Sequence, residues 1–287
     1  MRSFRLSGPG QTVQVRHHAR RPYPAPRRHR ARERDGSDRG GADVRVGTGG
    51  CPNGDGFQWV LLVLNWKVHL RMESKRQEEL HKLYLKNMSL IKLRMRTLSD
   101  VMCHARTTTY EITNIEFCVL QIRKILELIV LSSLVSDEDL YREKMGKLEK
   151  MWNARYIIRD VERIHPDFYP HPIQINKHRD EAEPDEFVEI NKPYLTKDKL
   201  VEIYQKCGKY LHQASPFVDD NLISQTYLDA KDELIEWRAL IINLLSIHVV
   251  HLYDEDYMWY VVMNEEGKAP SGNIFVRVED DGCAGGN

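Results

Sequence analysis

Four charged residues, Glu116, Arg123, Lys124 and Glu127, interrupt a segment that is otherwise almost entirely apolar. In Ile115-Glu-Phe-Cys-Val-Leu-Gln-Ile-Arg-Lys-Ile-Leu-Glu-Leu-Ile-Val-Leu131, Glu116, Arg123 and Glu127 fall seven and four residues apart. On a helix that spacing places all three on one stripe. Charged side chains are rarely buried without partners, so the stripe either pairs internally or faces a cleft. An Arg123–Glu127 ion pair would fix helix packing, whereas a polar groove would offer a cation and two carboxylates to a ligand. A second polar group, Tyr204-Gln-Lys-Cys-Gly-Lys-Tyr-Leu-His-Gln-Ala-Ser-Pro-Phe217, places His212 at the end of a helical pattern. There an imidazolium interacts favourably with the helix dipole, and Gly208 lets a neighbouring helix approach closely. His212 is then either a capping residue or a proton donor or phosphate ligand opposite Arg123 in the same groove.

Sharper signatures are missing: the chain has no glycine-rich phosphate loop, GxSxG elbow, HExxH or paired-cysteine zinc pattern. His165, His171 and His178 are spaced six and seven apart, and Cys207 lies five before His212. Neither spacing is a ligand rhythm, so these read as surface histidines, with no metal and no cofactor expected. The five cysteines, Cys51, Cys103, Cys118, Cys207 and Cys283, contain no CxxC pair, which points to a reducing, cytoplasmic setting. The apolar run Phe57–Trp66 is far shorter than the ~20 residues a bilayer span requires, so no membrane anchor is expected.

The elements that must position these groups are mainly helical. From Glu73 to about Arg106, Leu80, Leu83, Met88, Ile91, Met95, Leu98 and Met102 recur three to five apart in an amphipathic pattern. Thr113 or Asn114 can cap a second helix to about Val135, apolar almost all round and therefore central. Asp137 is expected to cap a third helical region reaching Ile164 and closed by His165-Pro166. Pro166 to Glu186, with four prolines, reads as an extended surface connector. Thr196 opens a helix to about His212, and a last one runs from about Asn221 to Ser246.

The period then changes. His248–Tyr253, Met258–Met263 and Asn273–Glu279 are rich in β-branched and aromatic residues, separated by turn-like segments. The expected fold class is mainly α, a multi-helix bundle over 72–247 with a small C-terminal antiparallel three-stranded β-meander over 248–280. Residues 281–287 are expected to be a disordered tail. The first fifty residues hold twelve Arg, no Lys and four acidic residues, a balance of +8 in a chain of net charge zero. Residues 1–71 therefore read as a disordered Arg/Gly/Pro-rich leader. That leader is either non-native upstream sequence, with Met72 as the natural start, or a basic arm for phosphate backbones.

A central helix bearing Glu116, Arg123 and Glu127, followed by a helix ending Lys-Tyr-Leu-His-Gln-Ala-Ser-Pro, resembles the HEPN and abortive-infection class of bacterial helical bundles. The resemblance covers roughly Glu73 to Ser246 and leaves the β-meander unexplained. Many members of that class are RNases with an Arg-x(4–6)-His motif acting across a dimer interface, and others are catalytically silent. Arg159-Asp-Val-Glu-Arg-Ile-His165 and Arg76-Gln-Glu-Glu-Leu-His81 match the motif literally, although Pro166 ends the helix directly after His165. The resemblance implies a metal-independent endoribonuclease or RNA-binding defence protein with Arg159 and His165 as its catalytic pair. Without it, the residues indicate an interaction or regulatory module that pairs with itself or with a protein partner and needs no small-molecule cofactor.

Overall fold

The computed structural model describes residues 2–6, 12–15, 56–151, 153–176, 186–213, 215–254 and 256–277. Six helices occur among them: α1 (Gly56–Met102), α2 (Glu111–Ser136), α3 (Glu138–Met145), α4 (Ala154–Ile164), α5 (Lys197–Leu211) and α6 (Asp220–Leu245). The strands are β1 (Arg2–Leu6), β2 (Thr12–Val15), β3 (His171–Asn176), β4 (Glu186–Glu189), β5 (Ile247–His251), β6 (Tyr257–Val262) and β7 (Ser271–Arg277). The chain divides into a unit of residues 1–16 with 76–287 and a second unit of residues 17–75. Of the second unit, the described part is the first portion of α1.

The nearly all-apolar segment becomes α2, and its neighbours gather on several sides of it. Ile122, Ile125, Leu126 and Ile129 are wholly buried, and α2 touches α3, α4, α5 and α6. Burying four such side chains removes on the order of 10 kcal/mol of apolar exposure, so α2 anchors the helical layer. α1 contributes Leu80, Tyr84, Met88, Ile91 and Leu98 to the same core at helical spacing. α1 begins at Gly56, earlier than the expected Glu73, because no proline or glycine interrupts Phe57–Met102. It ends where His104 adopts a left-handed φ of 55° and its N–H bonds back to the Val101 carbonyl at 3.0 Å.

The sheet is larger than a three-stranded meander. Five antiparallel strands run β4-β3-β5-β6-β7, and β1 and β2 bridge the two edges, β1 antiparallel to β7 and β2 parallel to β4, closing a barrel. Period-2 alternation sorts its side chains. Ile173, Phe187, Val249, Met258 and Phe275 form a small separate core, while Val250, Trp259, Val261 and Ile274 turn to the helices.

The supposed connector thus supplies two strands. Its prolines do not prevent this, since Pro172 sits second in β3 and Ile173 and Ile175 alternate after it. The helical and β parts are consequently interleaved, not split at residue 247. Within the supposed leader, the alternating Phe4, Leu6, Val13 and Val15 segments pair as β1 and β2, and Met72 lies inside α1. Residues 17–55, 177–185 and 278–287, including the expected tail, lie outside the described residues. The third helical region is two helices: Gly146, with φ 79°, ends α3, and Asn153 caps α4 by accepting from the Arg155 N–H at 3.1 Å. Thr196 caps α5 as expected, accepting from the Lys199 N–H at 3.3 Å.

Three histidines are buried, His81, His165 and His248. His248 is fully buried, with Nδ1 3.1 Å from the Leu245 carbonyl and Nε2 2.9 Å from the Tyr84 hydroxyl. A neutral ring satisfies both contacts, donating at Nδ1 and accepting at Nε2. Burial pushes His248 and His81 down to about 4.

Candidate functional site

The polar stripe of α2 faces α5 and α6 and is spoken for. The Arg123 guanidinium lies 4.4 Å from the Tyr204 ring centroid, donates to the Tyr204 hydroxyl at 3.0 Å and sits 3.5 Å from Glu127. Lys124 pairs with the same Glu127 at 3.0 Å, and Glu116 accepts from the Tyr227 hydroxyl at 2.7 Å. A Cβ on Gly208 would lie 3.5 Å from Arg123, so the close approach of α5 is real but leaves room for one more methyl. His212 is the exposed C-cap residue of α5, and among the described residues no hydrogen bond or ion pair joins it to Arg123. The sequence missed the tyrosines of α5 and α6 as the partners of this stripe, because their contact depends on how the helices cross.

The two Arg-x-His spacings put their members in unlike surroundings. Arg159 is mostly solvent-exposed, ion-pairs with Asp160 at 2.9 Å and lies over the Tyr156 ring. His165 is buried, with Nδ1 3.2 Å from Asp137 and 3.5 Å from the Tyr141 hydroxyl. It is therefore not a surface histidine. Arg76 reaches Glu138 at 2.8 Å and Asp139 at 3.3 Å, whereas His81 packs edge-on against Trp259.

An open site lies elsewhere. α1, α6 and the turn between β6 and β7 enclose a cleft of about 750 Å³, within the range of small-molecule sites. Its floor is aliphatic: Ile91, Met95, Ile241, Leu245 and Met263. Lys92, Arg96, Arg238 and Lys268 surround it, against Glu266 as the one lining acid. Lys92 commits its ammonium to the turn, donating to the carbonyls of Met263, Glu265 and Lys268 at 2.9, 2.6 and 2.8 Å. Lys268 pairs with Glu265 at 2.9 Å. Arg238 donates from Nε to the Ser99 hydroxyl at 3.0 Å, and neither it nor Arg96 meets a carboxylate among the described residues. Two guanidinium groups thus stand beside an apolar slot without a carboxylate contact among the described residues, an arrangement that favours an anion.

No protein-family model, curated protein or solved structure matches the chain. Among the described residues no helix is long and apolar enough to cross a membrane. The exposed face of α6 carries Leu228, Ile235 and Ile242 at seven-residue spacing.

A further cluster forms where α4 leads into the sheet. Asp167, His171 and His251 bring one donor atom each to within 4.8 Å of one another. Although the Asp167 side chain is exposed, partial desolvation by its neighbours tends to raise its carboxyl, but the hydrogen bond from His171 and the nearby His171, His251 and His165 rings outweigh this and hold it down at about 2. His178, the third member of the expected histidine series, lies outside the described residues.

Proposed function

We propose that the protein is a binding module, a helical bundle built around α2 that serves as scaffold for a cleft taking an aliphatic chain with an anionic headgroup. The observation that carries this reading is the pairing of the aliphatic floor with Arg96 and Arg238, two guanidinium groups without carboxylate partners among the described residues. The apolar body of such a ligand would gain from leaving water along Ile91, Ile241 and Leu245, while its head would accept from the guanidinium groups. RNA is the less suitable occupant. Single-stranded nucleic acid is usually held on aromatic platforms, and no aromatic side chain lines this cleft. The RNA-cleaving reading also needs Arg159 and His165 to serve one reaction, and their present partners, Asp160 and Asp137, do not favour it.

Thermal-shift titration of the full chain with decanoate, with decanol and with a short RNA oligomer tests the proposal. Decanoate should raise the melting temperature in a saturable way, with decanol at least about tenfold weaker because its neutral hydroxyl lacks the charge that the guanidinium groups would meet. Equal shifts from acid and alcohol, or a response to RNA alone, would count against it.

A further inference from the structure

We infer that Asp167, His171 and His251 form a binding site for one divalent transition-metal cation of the zinc class. The register of the sheet brings the two histidines together. In the β3–β5 pair His171 lies opposite Val249, so His251, two residues further along β5, is its diagonal neighbour on the same face. That face is the barrel interior, because Val249 and Ile173 both belong to the small barrel core. The histidines therefore stand at one end of the barrel, their ring centroids 5.2 Å apart and their planes at 73°. Asp167 joins them from the loop after α4, with its carboxylate 2.8 Å from His171 Nε2.

Two imidazoles and one carboxylate are the ligand chemistry of zinc, nickel, copper or ferrous iron. Calcium and magnesium prefer oxygen ligands throughout. Donors bound to a tetrahedral ion at about 2.0–2.1 Å stand roughly 3.3 Å apart, so the Asp167–His171 contact would open by about half an ångström and the His251 donor would close in. Three ligands with Asp167 exposed and both histidines half-buried leave at least one coordination position facing water.

The loops that carry the ligands are held in place by a common residue. Asp137 accepts the Tyr253 N–H at 2.8 Å, two residues beyond His251, and contacts His165 Nδ1 at 3.2 Å, two residues before Asp167. Ser136 donates to the same carboxylate at 3.1 Å. Asp137 was expected to cap α3, yet it makes no side-chain cap bond there and ties these two loops together instead. Such outer support is what a preorganised metal site requires.

The test uses the full chain, stripped with chelator and titrated with Zn²⁺ by calorimetry, alongside His171→Gln, His251→Gln and Asp167→Asn. Because supporting residues alone cost 10–100-fold at metal sites, loss of a ligand should weaken binding by on the order of 100-fold. The expected result is a site of unit stoichiometry that collapses in each variant while the far-UV spectrum is kept. Binding that survives unchanged in the His171→Gln/His251→Gln double variant, or no Zn²⁺ uptake by the wild type, would overturn the assignment. Should a variant fail to fold, the wild type decides: its Co²⁺ form should show paramagnetically shifted ring N–H resonances from two histidines, and finding none or one would overturn it.

Discussion

Replacing Lys92 with methionine keeps a stem of similar length and removes the ammonium that holds the β6–β7 turn. That ammonium donates to three backbone carbonyls, those of Met263, Glu265 and Lys268, at 2.9, 2.6 and 2.8 Å. A hydrogen bond from a charged donor is worth about 1.5–3 kcal/mol net, but these three share one group and lie largely at the surface, where water can replace it. The expected loss is therefore about 2 kcal/mol, close to one such bond and well short of three. For a domain of this size that lowers the melting temperature by about 6 °C. Because the turn forms one wall of the cleft, decanoate affinity should fall in the same variant. Urea unfolding followed by intrinsic tryptophan fluorescence measures the first effect, through the midpoint at unchanged slope. A midpoint within about 0.3 kcal/mol of wild type would show that the clamp does not exist in solution.

Three other expectations are independent of the ligand. A Cβ on Gly272 would lie 2.3 Å from the Tyr260 carbonyl oxygen and 3.0 Å from His81 Nε2, so Gly272→Ala must push β7 off β6 and should cost about 1–3 kcal/mol in the urea midpoint. His248 and His81 stay neutral in the folded protein down to about pH 4, whereas in the unfolded chain they take up protons near pH 6.5. The unfolded state then binds more protons between those values, so stability should be flat in these groups above about pH 7. It should fall as the pH drops from 6.5 toward 4, by at most about 3 kcal/mol for each ring. Urea midpoints at pH 7.5, 6 and 4.5 check the sign, and a rise on acidification would contradict the burial of both rings. Arg123→Met removes the contact to Tyr204 and one partner of Glu127, with an expected cost of about 1–2 kcal/mol, and Arg123→Lys should recover little of it because an ammonium does not stack on the ring as a guanidinium does. Full recovery by lysine would leave only charge as the role of that residue.

What the sequence disclosed was local. The helical period from Ile115 to Leu131 marked α2 as the buried centre, and the same period placed Glu116, Arg123 and Glu127 on one side of it. Both follow from 3.6 residues per turn, which needs no knowledge of the rest of the chain. The Thr196 cap and the stop at His165-Pro166 were legible for the same reason. β3 and β4 were hidden because proline density argued for a connector, although the Ile173–Ile175 alternation was present in the text of the chain. β1 and β2 were hidden by the arginine content around them. The cleft has no sequence signature at all: Lys92, Arg238 and the turn at Gly267 come from three distant segments that only packing unites. His171 and His251 likewise meet through strand register, whereas spacing along the chain groups His171 with His165 and His178 instead.

The proposed function requires that Arg96 and Arg238, which line the α1–α6 cleft, hold the anionic head of an aliphatic ligand. Calorimetric titration of decanoate into the wild type and into Arg96→Ala/Arg238→Ala tests it most directly. One site per chain, weakened about 100-fold in the double variant with the urea midpoint little changed, is the expected outcome, since two charge-assisted contacts are lost. Equal affinity in the two proteins would contradict it.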